Sequence, residues 1–212
     1  CTENFDIIFT MKKRWYILYL LRKAFAWFKR MRKQKKTAGD KSSWWHLAAN
    51  WCSRLLLWLK DFKHGSYQFS PLMQYQFKNE IVQVWSYLDR LMLHLILGII
   101  TPTFKRVISK LCCHLSGPST IKYVTADIMA ALKSGRFNYC LRLDIKRYYA
   151  TINHKILLKQ LHENYADPIL LRYFTDIVTI GVDCGGQVVL PKTGIPIRSA
   201  LSPFFGAMYL TP

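Results

Sequence analysis

The sequence predicts an α+β fold, in which helices and short antiparallel strands follow one another irregularly along 212 residues. Apolar residues recur with helical spacing in several stretches, for example Trp44–Gly65. Two other stretches, Tyr67–Trp85 and Tyr139–Ile145, alternate with a period of two, as strands do. Hydrophobic residues make up 51% of the chain, so it can bury a core and is not a disordered protein.

The chain is strongly basic. It carries 31 Lys and Arg against 12 Asp and Glu, a formal net charge of +19. A field of this sign favours a polyanion, either nucleic acid through counterion release or anionic lipid. The alternative is a basic surface with no particular partner.

The first predicted element is a helix within Met11–Lys36, which holds eleven Lys or Arg, no acid and several aromatic residues. Such a helix can lie along a phosphate backbone or on a membrane, or it can dock on its neighbour with its lysines solvated. The residues predicted to bind nucleic acid are Lys12, Lys13, Arg14, Arg22, Lys23, Lys29 and Arg30. The polar stretch Thr37–Ser43 is predicted to be a linker.

The elements that follow are predicted from their caps and turns. Trp44–Gly65 is one amphipathic helix, and Tyr67–Trp85 is a strand, a turn and a strand. Ser86 caps a helix that Pro102 ends, and Gly135 closes the next helix. Later features are caps at Asn153, at Asp167 before Pro168 and at Ser202 before Pro203, and a hairpin around Gly185-Gly186.

A single carboxylate lies in the apolar run Tyr139–Ile145. With a period of two, Leu141, Leu143 and Ile145 share one face, and Asp144 lies on the other. We therefore predict a strand that buries its leucines and presents Asp144 from its opposite face.

The six cysteines form no C-x-x-C pair, and we expect reduced thiols in a cytoplasmic protein. Cys112, Cys113 and His114 are adjacent, but no second ligand pair accompanies them, so we interpret them as packing residues. The apolar runs near Trp15–Leu21 and Leu93–Ile100 are too short to span a bilayer.

Four blocks, in order, resemble the reverse transcriptase family of the bacterial group II intron and retron-like type. "RLDIKRYYATINHKIL" resembles the family's "DI..YF..I.H..L", and "GIPIRSALSPFFGAMYL" resembles its "G.P.G...SP....YL". Upstream, "YQFSP" and "DRLMLHLIL..ITP" are similar to its fingers motifs. The resemblance runs from Tyr67 to Pro212.

The resemblance implies the fingers and part of the palm of a right-hand polymerase, with an antiparallel sheet, behind a basic helical extension. The implied divisions are residues 1–63 (extension), 64–138 (fingers) and 139–212 (partial palm). The implied activity is RNA-directed DNA synthesis from an RNA template, a DNA or RNA primer and dNTPs. Nucleotide addition needs two Mg²⁺ ions, and carboxylates on a rigid platform hold such ions.

The resemblance also assigns roles to residues. Asp144 and the carbonyl of Ile145 would face the metal, and Tyr149 would be the steric gate that rejects a 2′-hydroxyl. Lys78 would grip the triphosphate, although a solvated strand lysine is the other interpretation. Gly194, Pro196, Arg198 and Ser199 would contact the substrate. His154 is predicted to be structural, because a lone histidine in a first helical turn more often caps than catalyses.

The chain departs from the family pattern at three points. Pro196-Ile197-Arg198 stands where the family has P-x-G, and Gln83 stands where a fingers arginine is expected. The tetrapeptide Y-x-D-D, which supplies further metal carboxylates, does not occur in the 212 residues. We therefore predict a fragment that is inactive alone. The alternatives are a non-catalytic basic RNA-binding remnant of this scaffold and, third, a membrane-surface protein.

Overall fold

The computed structural model describes residues 13–34, 42–78, 80–108, 112, 115, 118–137 and 139–211. The helices in this part of the chain are α1 (Lys13–Gln34), α2 (Ser43–Ala49), α3 (Trp51–His64), α4 (Tyr87–Ile100), α5 (Phe104–Val107), α6 (Pro118–Lys133), α7 (Tyr148–Thr151), α8 (His154–Asn164), α9 (Pro168–Val178) and α10 (Ser202–Tyr209). A 3-10 turn, Thr101–Thr103, joins α4 to α5. The strands are β1 (Leu72–Phe77), β2 (Glu80–Val84), β3 (Val182–Asp183) and β4 (Val188–Val189).

The four strands form one mixed sheet in the order β2-β1-β3-β4. The hairpins β1–β2 and β3–β4 are antiparallel, as the turn residues predicted. The prediction of an antiparallel sheet is wrong at the centre, where β1 and β3 run parallel with Leu72 opposite Val182. Local turn chemistry specifies the hairpins, whereas the central pair joins segments separated by a long connection that permits either direction.

Helix α4 is the centre of the N-terminal core. Its residues Leu91, Met92, Leu93, Leu95 and Ile96 are fully buried. Helix α1 packs on it, burying every third or fourth side chain: Leu20, Ala24, Trp27 and Met31. The predicted helix in Met11–Lys36 is therefore confirmed, with its apolar stripe facing the protein.

The stretch predicted as one helix, Trp44–Gly65, is two helices that meet at Asn50. The Asn50 side-chain amide donates to the carbonyl of His46, 2.9 Å away. An asparagine that bonds nearby backbone in this way competes with continuous helix, which explains the break. The second helix ends as predicted, because Gly65 adopts a left-handed conformation with φ of +73°.

Three predicted caps are confirmed. The Ser86 hydroxyl accepts from the N–H of Asp89, the Asn153 side chain from Lys155 and the Asp167 carboxylate from Leu170. The prediction at Ser202 is wrong by one residue, because α10 begins at Ser202 itself. Its hydroxyl is used elsewhere, donating to the carbonyl of Pro196.

A buried carboxylate joins α4 to the segment before β1. Asp89 is fully buried and accepts hydrogen bonds from the hydroxyls of Tyr67 (2.7 Å) and Ser86 (2.6 Å). The Ser70 N–H also donates to it, at 3.4 Å. Burial raises the pKa of Asp89, while these donors lower it by a smaller amount.

The predicted strand Tyr139–Ile145 is wrong. These residues, all in the described part, form no strand, and Leu141 and Leu143 are 82% and 81% exposed. Alternation predicts which side chains share a face, but a strand also needs a neighbour to pair its backbone N–H and C=O groups. No described strand pairs with this segment.

None of the helices in the described residues is both long and apolar enough to cross a bilayer. The described cysteines Cys52, Cys112, Cys140 and Cys184 are free thiols. Cys113, His114 and most of the predicted linker, residues 37–41, lie outside the described residues.

Candidate functional site

A cleft of about 400 Å³ opens between the β1–β2 hairpin and the loop that precedes α10. Ile81 and Gln83 of β2 form one wall, and residues 193–197 form the other. Arg147 and Ala150 contribute from the turn into α7. The cleft therefore joins three segments that are far apart in sequence, and two of them belong to the blocks singled out above.

Backbone hydrogen bonds hold the loop wall in place. The N–H of Gly194 donates to the carbonyl of Ile152 and the N–H of Ile195 to that of Tyr149, both at 2.8 Å. The buried His154 donates from Nε2 to the carbonyl of Gly194, 2.6 Å away. This contact supports the structural role predicted for His154.

Only glycine fits at position 194. Its φ is +86°, and a Cβ there would lie 2.9 Å from the carbonyl oxygen of Ala150. A tight turn at this position lets the loop backbone approach α7 and line the cleft.

Next to the cleft, Arg198 also occupies the left-handed region, with φ of +61°. The motif that the sequence resembles has glycine at this position. Arg198 adopts the left-handed backbone that glycine favours, but it carries an exposed cationic side chain. Ser199 stabilises the turn by accepting from the N–H of Leu201, 3.0 Å away. Pro196 lines the cleft.

Arg147 and Lys78 share this unusual backbone, each with φ of +54°. The three described non-glycine residues with positive φ are thus all basic, and one of them lines the cleft. Strained conformations of this kind concentrate at ligand sites. Lys78 lies in the β1–β2 turn, is exposed, and is not among the residues that line the cleft.

The paired tyrosines pack against α10. The Tyr148 hydroxyl donates to the carbonyl of Gly206 at 2.5 Å, and its ring centroid lies 5.4 Å from that of Tyr149. A Cβ on Gly206 would lie 3.0 Å from the Tyr149 ring. Burial, and then the neighbouring Tyr149, raise the pKa of Tyr148 to about 12, so its hydroxyl stays protonated. Tyr149 is half-buried and is not among the residues that line the cleft, whereas its neighbour Ala150 is.

Asp144 lies in the exposed segment, three residues before Arg147, with its carboxylate open to solvent. The described residues contain no group of three His, Cys, Asp or Glu side chains that could hold a metal ion. A single exposed carboxylate beside the Ile145 carbonyl does not make a site for two Mg²⁺ ions. The described residues therefore do not fit the two-ion centre that the resemblance implies.

Six of the seven predicted nucleic-acid residues belong to α1, which contributes no residue to the lining of the cleft. Arg22, Lys29 and Arg30 are exposed, and Lys23 is half-buried against α4. Lys13 and Arg14 begin α1, and their side chains lie outside the described set. Lys12 lies outside the described residues altogether.

Sequence reasoning missed Arg147. No periodicity or motif spacing in the sequence singles out Arg147. The feature that distinguishes this residue is its positive φ, which is a property of the backbone conformation. Gln83 had been noted as a departure from the family pattern, and the structure places it in the cleft.

No protein-family model matches the sequence, and curated proteins give no match. Among solved structures, chains of a "Partial Cas6-RT-Cas1--Cas2 complex" and a "Cas6-RT-Cas1--Cas2 complex" are similar, each at 17% identity and a TM-score of 0.57. Each match covers 91% of this chain but only 32% and 20% of those chains. The chain thus shares a fold with a part of proteins whose titles include an RT component.

Proposed function

We propose that this chain is the fingers and part of the palm of an RNA-directed DNA polymerase, and that the cleft holds the template base and the incoming dNTP. The convergence of the fingers-like hairpin and the 193–197 loop on one cleft carries the proposal. The fold shared with chains of RT-containing complexes supports it.

The composition of the cleft suits a nucleotide. The cleft volume lies in the range of small-ligand sites, and the apolar side chains of Ile81, Ile195 and Ile197 can pack against a base. Arg147 supplies a cation for phosphate, and Gln83 an amide that donates and accepts. The close packing of Gly194 on Ala150 fixes the loop wall against which the base would lie.

Template-directed dNTP addition belongs, on this proposal, to the whole protein, whose palm would supply carboxylates besides Asp144. Mg²⁺ would there stabilise charge on the transferred phosphoryl group. For the chain described here we propose binding of RNA template, primer and dNTP, with Tyr149 and Lys78 as further candidates for the sugar and the triphosphate.

The test is binding of an RNA template annealed to a DNA primer, with and without the dNTP that pairs with the next template base. Arg147→Ala is expected to weaken binding about tenfold or more, since a charge-assisted contact contributes roughly 1.5–3 kcal/mol. Arg136→Ala is the matched control, because Arg136 is exposed and outside the cleft. Equal losses in the two variants would contradict the proposal.

Asp144 has no companion carboxylates that would complete a metal site in the described residues, which favours a second candidate, a non-catalytic RNA-binding scaffold. Such a scaffold would bind RNA and RNA–DNA hybrid with equal affinity, and that affinity would not depend on which dNTP is present. Tighter binding with the complementary dNTP than with the other three would exclude it.

A further inference from the structure

The seam between α1 and α4 is unusually close at Gly98. The Tyr19 hydroxyl donates to the Gly98 carbonyl at 3.0 Å. A Cβ on Gly98 would lie 3.3 Å from that hydroxyl and 3.9 Å from Cε of Lys23. The missing side chain therefore lets α1 approach α4 and places the Lys23 stem along the seam.

Three basic side chains flank this seam, and we call them the seam cations: Lys23, Arg30 and His94. The Lys23 ammonium lies 5.5 Å from the Tyr19 ring centroid. His94 lies one turn before Gly98 and is half-buried. Burial first, and then the charges of Arg30 and Lys23, lower the pKa of His94 to about 4.

No acid of the described residues neutralises this cluster. The described part of the chain has ion pairs on α8, Lys159–Glu163, and on α9, Arg172–Asp176. Within that part, none of the seam cations forms an ion pair with a carboxylate. Like charges held together without a counter-charge create a site for an anion.

The geometry favours an extended polyanion over a membrane. Lys23 and Arg30 are two helical turns apart, about 10 Å along α1, so they can contact two separate phosphates of one strand but not a single small anion. Membrane-surface helices insert a continuous apolar face, whereas the main apolar stripe of α1, with Leu20 and Ala24, is buried within the protein and leaves Leu18 and Phe25 about half exposed.

We propose that the seam cations bind the phosphate backbone of single-stranded RNA along the edge where α1 packs on α4. The cations on the outward face of α1, Arg22 and Lys29, then contribute only long-range attraction. The proposal rests on the proposed function in one respect, that the polyanion is RNA. It adds a second contact surface, distinct from the cleft.

From this arrangement we expect His94 to take up a proton when RNA binds. Phosphates that neutralise Lys23 and Arg30 remove the smaller of the two causes that lower the pKa of His94, and burial, the larger cause, remains. The charged groups that act on His94 are these two from α1, while the titratable residue of α2, His46, is exposed. Bound RNA therefore favours protonated His94, and binding tightens as the pH falls.

The first test compares two charge-matched double variants in filter binding with labelled single-stranded RNA across a salt series. Lys23→Ala with Arg30→Ala is expected to weaken binding at least tenfold and to lower the slope of log K against log salt by about 1.4. Arg22→Ala with Lys29→Ala is expected to weaken it two- to threefold with little change of slope. Equal effects of the two double variants would overturn the proposal.

The second test measures binding at pH 7.5 and 5.5. Because burial persists in the complex, His94 recovers only part of its ordinary pKa, and RNA is expected to bind about two- to fourfold tighter at the lower pH. His94→Gln should abolish this gain and His46→Gln should keep it; retention of the gain in His94→Gln would overturn the proposal. Binding of phosphatidylserine vesicles, but not RNA, through the seam cations would also overturn it. Failure of the cleft shows separately, as an unchanged affinity in Arg147→Ala.

Discussion

Nε2 of His154 lies 2.6 Å from the carbonyl oxygen of Gly194 and donates a hydrogen bond to it. The contact ties the first turn of α8 to the wall of the cleft. His154→Ala removes the donor and leaves a buried carbonyl unpaired, which we expect to lower the free energy of unfolding by roughly 1–3 kcal/mol. Urea denaturation measures the loss, and His154→Gln, which keeps an N–H donor, should recover part of it. Identical midpoints for wild type and His154→Ala would rule out this role.

Gly194→Ala tests the close approach of the loop to α7. The new Cβ would lie 2.9 Å from the carbonyl oxygen of Ala150, and φ of +86° disfavours alanine. We expect a loss of stability of about 1–3 kcal/mol, together with weaker primer–template binding. Gly185→Ala is the control, because Gly185 also has positive φ but open space around it. It should cost only the conformational strain, so an equal loss in both variants would refute the crowding argument.

Arg198 carries backbone strain that glycine would relieve. Its φ of +61° costs an L residue roughly 1–2 kcal/mol. Arg198→Gly is therefore expected to raise stability by about 0.5–1 kcal/mol after the greater chain entropy of glycine is subtracted. Arg198→Ala keeps the strain and should leave the thermal midpoint unchanged. Stabilisation by alanine as large as that by glycine would mean that the side chain, and not the backbone, is responsible.

Asp89 predicts a pH dependence of defined sign. Burial raises its folded pKa above the unfolded value, so the folded state holds the proton more tightly. Its contribution to stability is fully present below the unfolded pKa, near 4, and is lost as the pH rises through the folded pKa. The stability of wild type relative to Asp89→Asn should fall as the pH rises above about 4. A difference that rises with pH would contradict the assignment.

The sequence predicted the local features of the fold and missed the non-local ones. The Asn153 and Asp167 caps and the β1–β2 hairpin depend on residues a few positions apart, so spacing alone located them. The parallel pairing of β1 with β3 depends on segments more than 100 residues apart. The strand predicted at Tyr139–Ile145 needed a pairing partner that alternation cannot supply.

The candidate site was predicted unevenly for the same reason. Gly194 and Pro196 were identified from a motif and line the cleft, while Arg147 was missed because only its conformation and position distinguish it. The substrate roles of Gly194, Pro196, Arg198, Ser199, Tyr149 and Lys78, the metal role of Asp144 and Ile145, and the nucleic-acid role of the α1 cations stay predictions.

Photo-crosslinking tests the cleft most directly. A template carrying 4-thiouridine at the base that pairs with the incoming dNTP, annealed to a primer and bound to the chain, is irradiated and the linked peptides are identified. We predict crosslinks to the 193–197 loop and to β2 around Gln83, reduced in Arg147→Ala. Crosslinks confined to α1 and α4, with neither cleft wall labelled, would contradict the account.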